Sequence, residues 1–99
     1  MSTKKGRPKK HKVESIGKEL NIYEVSSLKD KLNILFSEND TVELDLGEVE
    51  KCDTAGIQLL YSAKISAEVM NKQFITLNPT ECIKEKLLQM GLDPESTFN

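Results

Sequence analysis

The chain has one histidine, His11, and it lies in a lysine-rich N-terminal stretch. With no second imidazole, a Ser-His-Asp or Cys-His nucleophilic arrangement cannot be assembled in the body of the protein. Cys52 and Cys82 stand alone, neither in a CxxC pair nor beside a cluster of other donors, so no zinc spacing exists and both read as reduced thiols. There is no GxxxxGK[ST] run, and Gly47 and Gly56 are too far apart to cradle a phosphate together. Asp45 and Asp53 have no third group to make a carboxylate or magnesium site. Tryptophan is missing and only five residues are aromatic. No apolar run approaches the ~20 residues of a membrane span, and the first twelve residues lack the apolar segment of a secretory signal. A non-enzymatic, cytoplasmic protein without metal or cofactor is expected.

What is present is unevenly distributed. Lys4, Lys5, Arg7, Lys9, Lys10 and Lys12 give residues 1–12 six positive charges and no negative one, while the remainder is strongly acidic. An acidic body repels a phosphate backbone, which leaves weak nucleic-acid contact through residues 4–12 as the one polyanion route. Residues 1–11 are expected to form a basic disordered arm, 12–95 a single folded domain, and 96–99 a short tail. A domain of this size buries only about 60–65% of the surface of its extended chain, enough for one sheet and a few helices.

Along the body the hydrophobic period changes several times. Two short edge-like strands are expected near 12–16 and 19–23. Leu28, Leu32, Leu35 and Phe36 then form one apolar stripe of a helix over about 24–37. Val42, Leu44 and Leu46 alternate with Glu43, Asp45 and Gly47, as in a strand over 41–46 with one face on a core. Ile57, Leu59, Leu60, Ala63, Ala67 and Met70 predict a helix over about 54–71, and Gln73-Phe-Ile-Thr-Leu77 predicts a strand. Asn78 as cap and Pro79 as first helical residue predict a final helix to Met90, stopped by Gly91. The resulting order is β-β-α-β-α-β-α, an α/β fold. It has a small mixed sheet with three main helices on one side and a parallel pairing across the second crossover.

The junction at 53–56 concentrates the chemistry. Asp53 precedes a helix start, where it either caps the first amides or orients the Thr54 hydroxyl. Gly56 permits another backbone to approach the first turn. Read locally, the element is a capped helix N-terminus. It is equally a place where a phosphoryl group on Thr54 would meet free amides and a favourable dipole.

The run Leu44-Asp-Leu-Gly-Glu-Val-Glu-Lys-Cys-Asp-Thr-Ala-Gly-Ile57 resembles the signature of the STAS domain, the family of anti-sigma-factor antagonists. There a D-L-x-x-V strand exit leads to a D-[ST]-x-G helix start. The likeness continues through Phe74 to Pro79 and through Leu87 to Gly91-Leu92, covering about 19–93. The resemblance implies a STAS-like fold and a partner-binding role, with Asp53, Thr54, Ala55 and Gly56 as switch loop and Thr54 as phosphoacceptor. Ile57, Gln58 and Tyr61, one turn onward, are the expected partner contacts. The sigma-regulating branch favours D-S-[ST]-G. The D-T-A-G of this chain is closer to the STAS subunit of the phospholipid-trafficking ABC transporter of Gram-negative bacteria and to chemotaxis-associated STAS proteins. The implied partner is therefore a larger protein: a serine kinase that is also an anti-sigma factor, a chemotaxis kinase component, or a transporter ATPase. A constitutive subunit of a lipid-transport complex is the alternative to a phosphorylation switch.

Overall fold

The computed structural model describes residues 10–95. Three strands, β1 (His11–Ser15), β3 (Thr41–Asp45) and β5 (Gln73–Leu77), form one sheet in the order β1-β3-β5. Between them run α1 (Ile22–Glu38) and α2 (Thr54–Val69), so each neighbouring pair is joined by a helical crossover, which sets the strands parallel. The registers run from His11 opposite Thr41 to Ser15 opposite Asp45, and from Thr41 opposite Gln73 to Asp45 opposite Leu77. A second, two-stranded parallel ladder pairs β2 (Glu19–Leu20) with β4 (Lys51–Cys52). Among the described residues every pairing is parallel, where a mixed sheet was expected. The chain closes with α3 (Glu81–Gln89).

Alternation in β3 does what the pattern predicts: Val42 and Leu44, and Leu46 just beyond, are fully buried, while Glu43 and Asp45 are half-buried on the opposite face. Leu28, Leu32, Leu35 and Phe36 of α1 meet Ile57, Leu59, Leu60, Ala63 and Ala67 of α2 over this layer. Phe36 packs edge-to-face on Phe74 with centroids 5.9 Å apart. Ile83 and Leu87 of α3 close the end of the core against β4 and α2. The other sheet face is uncovered by any described residue, and Val13 and Ile75 remain exposed on it.

Several boundaries differ from expectation for identifiable reasons. The strand expected over 19–23 stops at Leu20 because Asn21 caps α1, its side chain accepting from the Tyr23 amide at 3.0 Å. Tyr23 is thus helical. The expected start of the last helix at Asn78-Pro79 moves to Thr80. Asn78 is held in the left-handed region at φ 55°, its side-chain Nδ2 donating to Asp45 Oδ1 at 3.3 Å, and an N-cap needs an extended backbone. Gly91, at φ 78°, ends α3, and the Leu92 amide returns to the Leu87 carbonyl at 2.8 Å. The expected arm and tail fall mainly on residues 1–9 and 96–99, outside the described residues. Lys10 and His11 belong to the fold: the Lys10 carbonyl accepts from the Asp40 and Thr41 amides, and His11 opens β1. The helix expected to reach residue 71 ends at Val69, with Met70 as C-cap and Asn71 left-handed at φ 58°.

Candidate functional site at the start of α2

The polar turn after β3 brings the chain back beside Leu20, and β4 pairs there before α2 begins. The Asp53 amide donates to the Leu20 carbonyl at 3.1 Å, which fixes the turn against the β2 exit. From that position the Asp53 carboxylate serves two helices. Its Oδ1 accepts from the Gly56 amide at 2.9 Å, capping α2, and its Oδ2 accepts from the Ile22 amide at 3.0 Å, at the start of α1. One side chain therefore satisfies orphan donors at two helix N-termini. Hydrogen bonds from the Gly56 amide, then from those of Ile22 and Ala55, hold the carboxyl below its ordinary value. The positive charge of Lys86 adds to this, and burial opposes it.

Gly56 has a steric reason for its identity. A Cβ built there would lie 2.3 Å from the Leu20 carbonyl oxygen and 2.8 Å from its carbon. The first turn of α2 thus presses directly on the β2 backbone, and no larger residue fits without moving one of them. The aspartate and the glycine of the D-T-A-G run are both explained by this packing.

Thr54 is not. It is the first residue of α2, it is exposed, and among the described residues its hydroxyl has no hydrogen-bond partner. Of the two roles expected for Asp53, capping the first amides is the one it performs. Ala55 is half-buried beside it. Of the three expected contact residues, Gln58 and Tyr61 are exposed on the same side of the helix. Ile57 is fully buried, at the edge of α2 that meets the core, and it is not available to a partner.

The outward stripe continues past Tyr61. Thr54, Gln58, Tyr61 and Ile65 recur at i, i+4, i+7 and i+11, and Val69 extends the row. Tyr61, Ile65 and Val69 are 46%, 47% and 80% exposed. Because Asp53 ties the two helix starts together, Ile22 (62% exposed) and Tyr23 (89%) stand beside the same turn. Sequence reasoning missed Ile22, Tyr23 and Ile65. The signal for Ile65 was the helical spacing from Thr54; for the pair on α1 it was the Asn21-x-x-Glu24 capping pattern.

Comparison with known proteins agrees with this fold. The profile of the family described as "Mlab, STAS domain" matches residues 6–94. The chain belongs to the STAS family. A search of curated proteins finds no significant sequence match. The STAS fold is shared with the anti-sigma factor antagonist SpoIIAA in its unphosphorylated form, at 20% identity and TM-score 0.69 over 89% of this chain and 79% of that one. It is also shared with a sulfate transporter family protein from Wolinella succinogenes, at 19% identity and TM-score 0.64 over 92% and 75% of the two chains. A protein designated Mglu matches 68% of this chain with 17% of its own, at 18% identity and TM-score 0.60. Among the described residues no helix is long and apolar enough to cross a membrane.

Proposed function

We propose that this STAS domain is a non-enzymatic regulatory module that docks a larger protein through the outward face of α2, and that phosphorylation of Thr54 releases the partner. The observation that carries the reading is the contrast inside the motif. Asp53 and Gly56 are committed to holding the fold, whereas the Thr54 hydroxyl between them is exposed and unengaged. Tyr61 and Ile65 supply apolar anchors on the same stripe, with Ile22 and Tyr23 beside it.

The physics of the switch follows from Asp53. A phosphothreonine adds roughly -1.5 to -2 charges and three acceptor oxygens. At position 54 it competes with the neighbouring carboxylate for the amides of the first turn and repels it. The Asp53–Ile22 link, which joins the starts of α1 and α2, is weakened by that repulsion. A partner surface shaped for a neutral hydroxyl between two helix ends would also have to bury an unpaired dianion.

A constitutive role as the STAS subunit of a transporter complex stands beside the switch, with Thr54 as an interfacial hydroxyl that is never modified. It is favoured by the matched family profile and by Ala55, which replaces a second hydroxyl in the loop. Affinity purification of the full chain from its native cells, with phosphosite mass spectrometry, separates the two. A co-purifying kinase that modifies Thr54 and then loses affinity supports the switch. A stoichiometric complex with a transporter ATPase and an unmodified Thr54 supports the subunit.

A further inference from the structure

The two cysteines, thirty residues apart in the chain, meet behind the Asp53–Thr54 turn. Cys52 ends β4 and Cys82 is the second residue of α3, two elements that pack together. Cys52 Sγ donates to the Cys82 carbonyl at 3.3 Å, and Cys82 Sγ donates to the Val49 carbonyl at 3.5 Å. Thr80 Oγ1 lies 3.4 Å from Cys82 Sγ. Both thiols are free and only partly buried, so each combines contact with the opposite segment and access from solvent. Burial, and then the neighbouring Cys82 thiol, push the Cys52 thiol up to about 12.

We propose that Cys52 and Cys82 are a redox modification site that forms a reversible intramolecular disulfide between the end of β4 and the first turn of α3. The inference stands independently of the reading of Thr54. An S–S bond needs the two β-carbons about 3.8 Å apart, and Cys52 Sγ already stands 3.3 Å from the Cys82 backbone. Hydrogen peroxide is the oxidant class that suits partly buried thiols, being small and uncharged.

The Cys82 thiolate attacks one peroxide oxygen, the O–O bond breaks, and Cys82 carries S–OH. The departing hydroxide takes the proton that Cys82 lost and leaves as water. The Cys52 sulfur then attacks the Cys82 sulfur, displacing hydroxide, which leaves with the Cys52 proton as a second water. Two thiols give up two electrons and one peroxide becomes two waters. The order of attack does not alter the product, a single bond between the same two sulfurs. The new bond replaces the two thiol-to-carbonyl hydrogen bonds and fixes α3 to the strand that leads into Asp53. A dithiol reductant reverses it.

The test treats the reduced full chain with hydrogen peroxide, blocks remaining thiols with iodoacetamide, and maps peptides under non-reducing conditions. The expected product is a monomer lighter by two hydrogens, with a single Cys52–Cys82 cross-link and no alkylated cysteine. Its melting temperature rises by on the order of 10 °C and returns on addition of dithiothreitol. Cys52→Ser and Cys82→Ser, each checked for fold by circular dichroism, give no intramolecular cross-link. Recovery of both wild-type cysteines as alkylated, sulfinic or intermolecularly bridged species after oxidation overturns the proposal.

Discussion

Two helices of this STAS domain begin on polar turns that look alike in the sequence, yet they are held by different means. At the start of α2, Asp53 makes side-chain bonds to Gly56 and, across the fold, to Ile22. At the start of α3, Thr80 makes no side-chain cap bond, and the preceding Asn78 is turned toward Asp45. The first turn of α3 is kept in place by Ile83 and Leu87, both buried against the core. One helix start is thus fastened by local polar chemistry and the other by burial. Cap chemistry is concentrated at the α2 start, beside an exposed hydroxyl.

The sharpest way to break the α2 start is Gly56→Ala. Alanine gains about 1 kcal/mol in helix propensity, but its methyl meets the Leu20 backbone at 2.3 Å, where nothing flexible can give way. A net loss of about 3 kcal/mol is expected in urea denaturation.

Asp53→Ala comes next. It strips an acceptor from two helix starts, and a loss of about 2 kcal/mol is expected by the same measurement. Backbone NMR should show shifts at both Gly56 and Ile22. Shifts confined to α2 would contradict the bridging role.

The same carboxylate gives a pH dependence. Its folded-state pKa lies below the ordinary value of 3.8, so its stabilising effect is present above that value and is lost as pH falls through the folded pKa. The stability difference between wild type and Asp53→Asn, measured at pH 7, should shrink as pH drops below about 4. A difference that stays constant to pH 2 would remove Asp53 as the source.

The smallest effects are expected at the uncapped start and at the exposed hydroxyl. Thr80→Ala and Thr54→Ala should each change stability by less than about 0.5 kcal/mol. Thr80→Ala matching Asp53→Ala would erase the distinction between the two helix starts.

How much of this was legible in the chain depends on whether a feature is local. The alternation in β3, the stripe of α1 and the D-T-A-G start of α2 are written in consecutive residues, and the structure follows them. Asn78-Pro79 is also a local signal, yet it misleads, because Asp45 of a neighbouring strand captures the Asn78 side chain. The second bond of Asp53, the reason for Gly56, the short β2–β4 ladder and the meeting of Cys52 with Cys82 all join segments about thirty residues apart. No period or motif encodes such contacts. Ile57 shows the same limit at short range: its place one turn onward from Thr54 suggested a surface residue, but it sits on the edge of α2 that meets the core.

The central claim is that the stripe from Thr54 to Ile65 is the docking face and that charge at Thr54 closes it. The direct measurement is the dissociation constant of the partner recovered with the full chain. It would be determined for wild type, the Thr54-phosphorylated form, Tyr61→Ala, and Val13→Ser on the uncovered sheet face. The account predicts at least a tenfold weakening for the phosphorylated protein and for Tyr61→Ala, equivalent to about 1.4 kcal/mol or more, and no change for Val13→Ser. Equal affinity for all four, or a loss confined to Val13→Ser, would contradict it.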